Sequence, residues 1–279
     1  MPRTKLRRKP VEKIWGRRDL PDEFIGEVRT DQPIGEIWYE GPNGSEAPLL
    51  VKQLFTSEKL SIQVHPDDRA AIAAGGERGK DEAWVILRAD PGAVIGLGLT
   101  GIVSADRLAM AARDGTIEQL VDWRPVAAGD HYYSPAGTIH ALGAGLALIE
   151  IQQNSDVTYR LYDYGRQREL HVEQAIKVAV AGPFQPVSEA TMRSDAREVL
   201  ASGQAFVLER WRGANGTIRP PEHRPVWLIP VSGDSRIGSD RLLPGDVWVI
   251  DGPEKLSASS GSELLVAYPG ADVVKQLIS

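Results

Sequence analysis

The chain contains no cysteine, which excludes disulfides, thiolate nucleophiles and thiolate metal sites. His, Asp, Glu and Gln are left as the side chains able to hold a metal ion. It also lacks a long apolar run. The longest mostly apolar stretch, 141–149, falls well short of the roughly 18 residues that a spanning helix needs, so no membrane partner is expected. Nor is there an excess of positive charge. Thirty-two Lys and Arg against 38 Asp and Glu leave a net charge of −6, too little basic field to gather nucleic acid or anionic lipid, so an anionic substrate must be captured locally. The amino terminus does concentrate Arg3, Lys5, Arg7, Arg8 and Lys9. No apolar segment of about 7–15 residues follows, so it reads as a frayed, solvated tail and not as a secretory signal, and a cytoplasmic location follows by default. What is present is ordinary for a folded protein: 279 residues, 42% hydrophobic and 25% charged, enough for one large domain or two modest ones. Composition leaves a homo-oligomer open.

Glycine (28) and proline (19) divide the chain into short segments, many of them β-rich or alternating, which points to a sandwich or barrel. Strands are expected at 36–39, 49–54, 60–64, 83–87, 93–95, 138–142, 147–152 and 159–162. Helices are expected at 104–113, with Ser104 as N-cap, at 117–121 and at 169–180. The two prolines of Ala181-Gly-Pro-Phe-Gln-Pro-Val open a polar stretch that makes 181–200 the boundary candidate. We therefore expect a domain over 1–185 and a smaller β-domain over 186–279, with strands at 206–210, 226–231, 246–250 and 264–268.

Leu60-Ser-Ile-Gln-Val-His65 read as a strand puts Ser61, Gln63 and His65 on one face and Leu60, Ile62 and Val64 on the other. A solvent-facing strand explains this segment taken alone. A second segment alters the reading. Gly129-Asp-His-Tyr-Tyr-Ser-Pro135-Ala-Gly137-Thr-Ile-His140 has the pattern G-x5-P-x-G-x2-H, in which Pro and Gly shape a hairpin that delivers His140 at the start of the next strand.

That spacing resembles the second motif of the cupins, jelly-roll β-barrels that hold a metal in the barrel mouth. Where the first cupin motif has a His-x-His pair and a later Glu, this chain has Gln63-x-His65 and then Glu82 within Gly79-Lys-Asp-Glu-Ala-Trp84. These motifs together are similar to the type I mannose-6-phosphate isomerases. Trp15-Gly16, Gly35-Glu-Ile-Trp38 and Glu150-Ile-Gln-Gln-Asn-Ser-Asp-Val-Thr-Tyr-Arg160 also match that family, the last being its segment with the active-site arginine. The resemblance runs from about 11 to about 179 and is weak beyond 200.

The resemblance implies an all-β-dominated cupin barrel with a few helices, one zinc ion per chain on Gln63, His65, Glu82 and His140, and Arg160 as the catalytic arginine. It further implies that Ser61, Lys80 and Arg160 contact a phosphosugar. The implied reaction is interconversion of mannose-6-phosphate and fructose-6-phosphate through a cis-enediol. The chemistry is consistent, because one carboxylate against a divalent ion leaves about one positive charge facing an electron-rich enediolate. Glu150, which alternates with Gln152 on its strand, is a candidate base, as are Lys80 and a zinc-bound water. None of His131, His171 and His223 is expected to be a ligand.

Other readings compete. Gly96-Leu-Gly98-Leu-Thr-Gly101 has the form of a dinucleotide fingerprint but lacks the β-α-β context, and a glycine-rich turn from strand to helix explains it more simply. A sugar-binding cupin without turnover, or an isomerase or epimerase of another phosphosugar, shares the same motifs. Leu243-Pro-Gly245-Asp-Val-Trp resembles a cupin hairpin without its metal-ligating His, so the tail is expected to be a degenerate, metal-free cupin unit.

Overall fold

A computed structural model describes residues 3–20, 31–41, 47–187 and 191–279. Among the described residues the strands form four antiparallel sheets arranged as two barrels. In the first barrel a six-stranded sheet, Arg7–Arg17, Ile34–Glu40, Leu49–Phe55, Leu146–Gln153, Glu82–Ala89 and His131–Ser134 in spatial order, faces a five-stranded one. The five-stranded sheet runs Tyr159–Tyr162, Ile62–Val64, His140–Leu142, Val94–Leu99 and Val121–Pro125. In the second barrel a seven-stranded sheet centred on Val226–Ser232, Glu263–Pro269 and Phe206–Arg212 faces a four-stranded one. This is the all-β, cupin-type architecture expected from the motifs.

The six-stranded sheet is buried on both sides, and its sequence shows why. Along Leu49–Phe55 every residue is buried, with Leu49, Val51 and Phe55 in one apolar cluster and Leu54 in another. Period-two alternation sends the two sets to opposite faces. The cluster that holds Val51, Val85, Ile149 and Ile151 continues into Leu208, Trp227, Ile229 and Leu265 of the second barrel. The two barrels thus share one core across the backs of their larger sheets. The other face of the six-stranded sheet carries Trp84, Ile86 and Leu148 into the first barrel, and among them the polar Lys52, Glu82 and Glu150, all buried.

Helices cover the outside of the five-stranded sheet. Ala105–Asp114 begins at Ser104, whose hydroxyl accepts from the Arg107 amide, and ends at Gly115 with φ +82. Leu108, Ala111 and Ala112 are its buried residues, which meets the expected cap and apolar stripe. Val172–Val178 packs against the same cluster through Val172 and Ala175. It is shorter than the helix expected over 169–180, because 169–171 folds back to bond the arginine strand.

Three expectations are corrected. The basic amino terminus is not a frayed tail. Arg3–Lys5 pairs with Trp248–Ile250 as an edge strand of the second barrel, and Arg3 contacts Asp240 and Glu254 at 2.7 and 2.5 Å. Lys5 and Arg8 both reach the buried Asp246 at 2.8 Å. The acidic partners lie more than 230 residues away, so a local charge run cannot reveal them. The second correction concerns Gly96 and Gly98, which lie within the strand Val94–Leu99 and not in a turn. A Cβ at Gly98 would fall 2.4 Å from the Phe184 backbone nitrogen, so this glycine, at φ +75, admits a crossing chain. Third, the strands Arg7–Arg17, His131–Ser134 and Arg197–Ser202 are additional to those expected.

Candidate metal centre and active site

The register of the five-stranded sheet assembles the first row of the site. Gln63 pairs with His140 on one side and with Arg160 on the other, and directly opposed residues project to the same face. The hairpin that carries His140 is docked rather than free. Gly137, at φ +86, donates its amide to the His65 carbonyl at 2.8 Å, and Thr138 donates to Pro135 O at 3.1 Å. From the opposite sheet comes Glu82, at the start of its strand and next to Gln152 in register.

His65, Glu82 and His140 converge, with one ligand atom from each lying within 4.8 Å of the others. Their Nε2 atoms approach Glu82 Oε1 and Oε2 at 3.3 and 3.4 Å. Each imidazole is oriented through its other nitrogen. His65 Nδ1 donates to Val157 O at 2.8 Å and His140 Nδ1 to Thr138 O at 2.9 Å, which leaves both Nε2 lone pairs directed at the carboxylate. The triad is about 2% exposed or less, yet His65 Nε2 and Glu82 Oε2 make no hydrogen bond. Leaving buried acceptors unpaired costs about 1–3 kcal/mol each. A divalent cation between them would be the missing partner, and two imidazoles with one carboxylate are a donor set suited to zinc. Gln63 stands beside the triad, with its Nε2 3.3 Å from His140 Nε2 and its Oε1 accepting from Ser61 Oγ at 3.0 Å. Presenting the oxygen inward instead requires only an amide flip, because the Ser61 hydroxyl can either donate or accept.

The protonation states follow from burial and charge. Burial, with the Lys80 charge added, pushes His65 down to about 4, and burial likewise lowers His140. Burial opposes ionisation of Glu82, but the Lys80 charge, with the contacts to the two imidazoles, prevails and holds it well below the usual carboxylate range. Both imidazoles neutral and the carboxylate ionised is the state a metal requires.

Above the triad opens a cavity of about 320 Å³, lined by Ser61, Gln63, Lys80, Glu82, Glu150 and Arg160 among others. Lys80 sits 2.9 Å from Glu82 Oε1, and despite burial the charges of Glu82 and Glu150 keep its ammonium above the ordinary lysine value. Glu150 accepts from Trp84 Nε1 at 3.2 Å and lies 3.4 Å from Lys52 Nζ. Burial, and then the Glu82 charge, raise its pKa. The candidate residues from the motifs are therefore together: Ser61, Gln63, Lys80, Glu82, Glu150 and Arg160 line the cavity, and His65 and His140 contact Glu82 at 3.3 and 3.4 Å.

Several cavity residues went unseen in the sequence. Lys13, Glu36 and Lys52 reach in from the amino-terminal strands, where only alternation on a doubly buried sheet marks Lys52 as inward. Arg168 and His171 come from the loop before the last helix of the first barrel. His171 Nδ1 accepts from the Arg160 amide at 3.3 Å, the Arg160 carbonyl accepts from the His171 amide at 2.8 Å, and the Arg160 guanidinium donates to Glu169 O at 3.3 Å. His171 is thus a site residue though not a member of the triad.

Comparisons with known proteins bear on the family and the fold. No family model matches the chain. A protein named mannose-6-phosphate isomerase from Streptococcus mutans serotype c is 32% identical over a 305-position alignment that covers 90% of this chain and 96% of that protein. The crystal structure of the mannose 6-phosphate isomerase from Bacillus subtilis superposes with a TM-score of 0.82 at 27% identity, covering 96% of this chain and 99% of that one. A zinc-bound holo form of a mannose 6-phosphate isomerase has the same fold, with a TM-score of 0.74 at 17% identity over 97% of this chain and all of that one.

Proposed function

The chain belongs to the mannose-6-phosphate isomerase family, and from that premise we propose that it interconverts mannose-6-phosphate and fructose-6-phosphate at the His65–Glu82–His140 site. One zinc ion per chain would be held by these three residues and Gln63. The observation that carries this reading is the pair of buried, unpaired ligand atoms, His65 Nε2 and Glu82 Oε2, beside a cavity to which Lys13, Lys52, Lys80, Arg160 and Arg168 contribute cations among its carboxylates. Bound there, zinc would supply Lewis acidity to the sugar oxygens.

The chain's own residues supply the base and the donors. Moving a proton between C2 and C1 through a cis-enediol needs a base at carbon, donors at the two oxygens and a grip on the phosphate. Arg160 and Lys80 are the donors, and the Glu82 and Glu150 carboxylates keep the Lys80 ammonium protonated despite its burial. Glu150 is the base: its raised pKa strengthens it as a proton acceptor, and the neighbouring Lys52 and Trp84 orient its oxygens. Ser61 contacts the substrate from beside Gln63. Residues up to 185, apart from the Arg3–Lys5 strand that pairs into the second barrel, form the catalytic unit in this proposal, and 186–279 the metal-free one. A cytoplasmic setting and a place in carbohydrate metabolism belong to the same reading. No helix among the described residues is long and apolar enough to cross a membrane.

The test is formation of fructose-6-phosphate from mannose-6-phosphate, followed before chelation, after chelation and after zinc is restored. Activity that disappears and returns with the metal is the expected result. A folded, zinc-loaded chain without turnover would reject this substrate and favour a different phosphosugar.

A further inference from the structure

We propose that Asp81 is a positioning residue of the metal site and that the metal-free barrel holds it in place through Tyr133. The inference rests on the metal reading of His65, Glu82 and His140.

Asp81 stands between Lys80 and Glu82, so wherever its backbone is fixed, theirs is fixed too. Its side chain points away from the cavity, toward the back of the six-stranded sheet. Tyr133 is opposite Ala83 in register and shares that back face, and its hydroxyl donates to Asp81 Oδ2 at 2.6 Å. The other oxygen, Oδ1, accepts from the Ala136 amide at 2.8 Å. Ala136 belongs to the hairpin that delivers His140, and its neighbour Gly137 bonds the His65 carbonyl. The Asp81 backbone is bonded in both directions to Gln153, whose side chain accepts from the Asp81 amide at 2.9 Å and whose amide donates to Asp81 O at 3.0 Å. Gln153 closes the strand that carries Glu150. One residue therefore ties together the segments supplying Glu82 and Lys80, His140, and Glu150.

Stability alone is a poor account of this arrangement. Asp81 is 9% exposed and has no Lys or Arg partner among the described residues, so two hydrogen-bond donors must offset the burial of a carboxylate lying one residue from another, Glu82. Removing charges from water without a counter-charge is costly, and a neutral residue would avoid that cost. What the carboxylate does provide is two directed acceptors that register the hairpin against the strand.

Tyr133 is itself seated by the second barrel. Its ring meets Phe206 with centroids 4.9 Å apart. A Cβ at Gly203 would fall 1.9 Å from Tyr133 Cζ and 2.0 Å from its hydroxyl oxygen. Only glycine at 203 leaves room for the phenol to reach Asp81. The metal-free barrel, which brings no ligand, thereby acquires a role at the site of the other barrel.

Zinc affinity is to be measured on the full chain by competition with a chromophoric chelator, beside the visible spectrum of the cobalt-loaded protein. Tyr133→Phe, which keeps the ring, is expected to weaken zinc about tenfold, as losses around metal ligands do, and to alter the cobalt spectrum. Gly203→Ala should reproduce both effects by displacing the phenol. Asp81→Asn, which turns an amide donor against one of two donors, should give the larger loss. Should Asp81→Asn fail to fold, Tyr133→Phe decides alone. A Tyr133→Phe protein that melts at a lower temperature but binds zinc as the parent does, with the same cobalt spectrum, overturns the inference. A parent that takes up no zinc overturns the metal reading instead, and the inference with it.

Discussion

Arg160 stands directly across from Gln63 in the pairing of Tyr159–Tyr162 with Ile62–Val64, and Gln63 stands directly across from His140. A guanidinium, an amide and an imidazole thus form one row over three strands on one face of the sheet. The row separates two roles, because His65, Glu82 and His140 reach one another without Arg160.

Replacing Arg160 by Ala should therefore leave zinc bound and the fold intact while lowering kcat by about 10²–10³-fold, the loss typical of removing a donor to developing negative charge. Metal content and kcat measured on the same sample check this. A near-normal kcat would take Arg160 out of the mechanism.

Glu150→Gln keeps the shape that Trp84 and Lys52 surround but removes the proton acceptor. We expect kcat to fall about 10²–10⁴-fold, with exchange of the substrate C2 proton into deuterated solvent falling in parallel and zinc retained. Normal exchange in the variant would transfer the role of base to Lys80.

Acidification should destabilise the metal-free protein in a defined window. His65 titrates near its ordinary 6.5 when unfolded but only at about 4 when folded, and His140 is shifted in the same direction. Protons then bind the unfolded chain preferentially. The stability these groups contribute is fully present above about pH 6.5 and is lost as pH falls toward 4, by about 3 kcal/mol for His65. Glu82, held low, adds a loss of the same sign at more acid pH, whereas the raised Glu150 acts in the opposite direction. Urea unfolding of chelated parent and His65→Gln from pH 4 to 8 isolates the His65 contribution as their difference. A difference that does not change with pH would refute it.

Ending the chain near residue 195 should yield insoluble protein. The cut bares Val51, Val85, Ile149 and Ile151, which share a cluster with Leu208, Trp227 and Leu265, and each large side chain returned to water costs about 1.5–3 kcal/mol. Expression and gel filtration of the fragment give the answer. A soluble, active fragment would show the first barrel to be self-sufficient.

Much of the site was legible before the structure because its signals are local. Pro135, Gly137 and His140 sit within six residues, and turn chemistry with strand alternation is enough to deliver His140 at a strand start and to put Ser61, Gln63 and His65 on one face, although that this face looks inward needed the resemblance. The Ser104 cap and the apolar stripe after it are legible for the same reason. Glu82 and Arg160 needed the resemblance, since no short-range rule joins a carboxylate and a guanidinium on separate strands to those histidines.

The sequence by itself determined which strands alternate, where turns fall, and which side chains could hold a metal without cysteine. Tertiary structure alone decided the rest: that Arg3, Lys5 and Arg8 meet acids of the second barrel, that Lys52 and His171 join the cavity, that Gly98 admits a crossing chain, and that Gly203 seats the phenol which holds Asp81. The physical reason is the same in each case. Period and turn are properties of neighbouring residues, whereas charge pairing, burial and close approach depend on partners brought together by sheet register across tens to hundreds of residues.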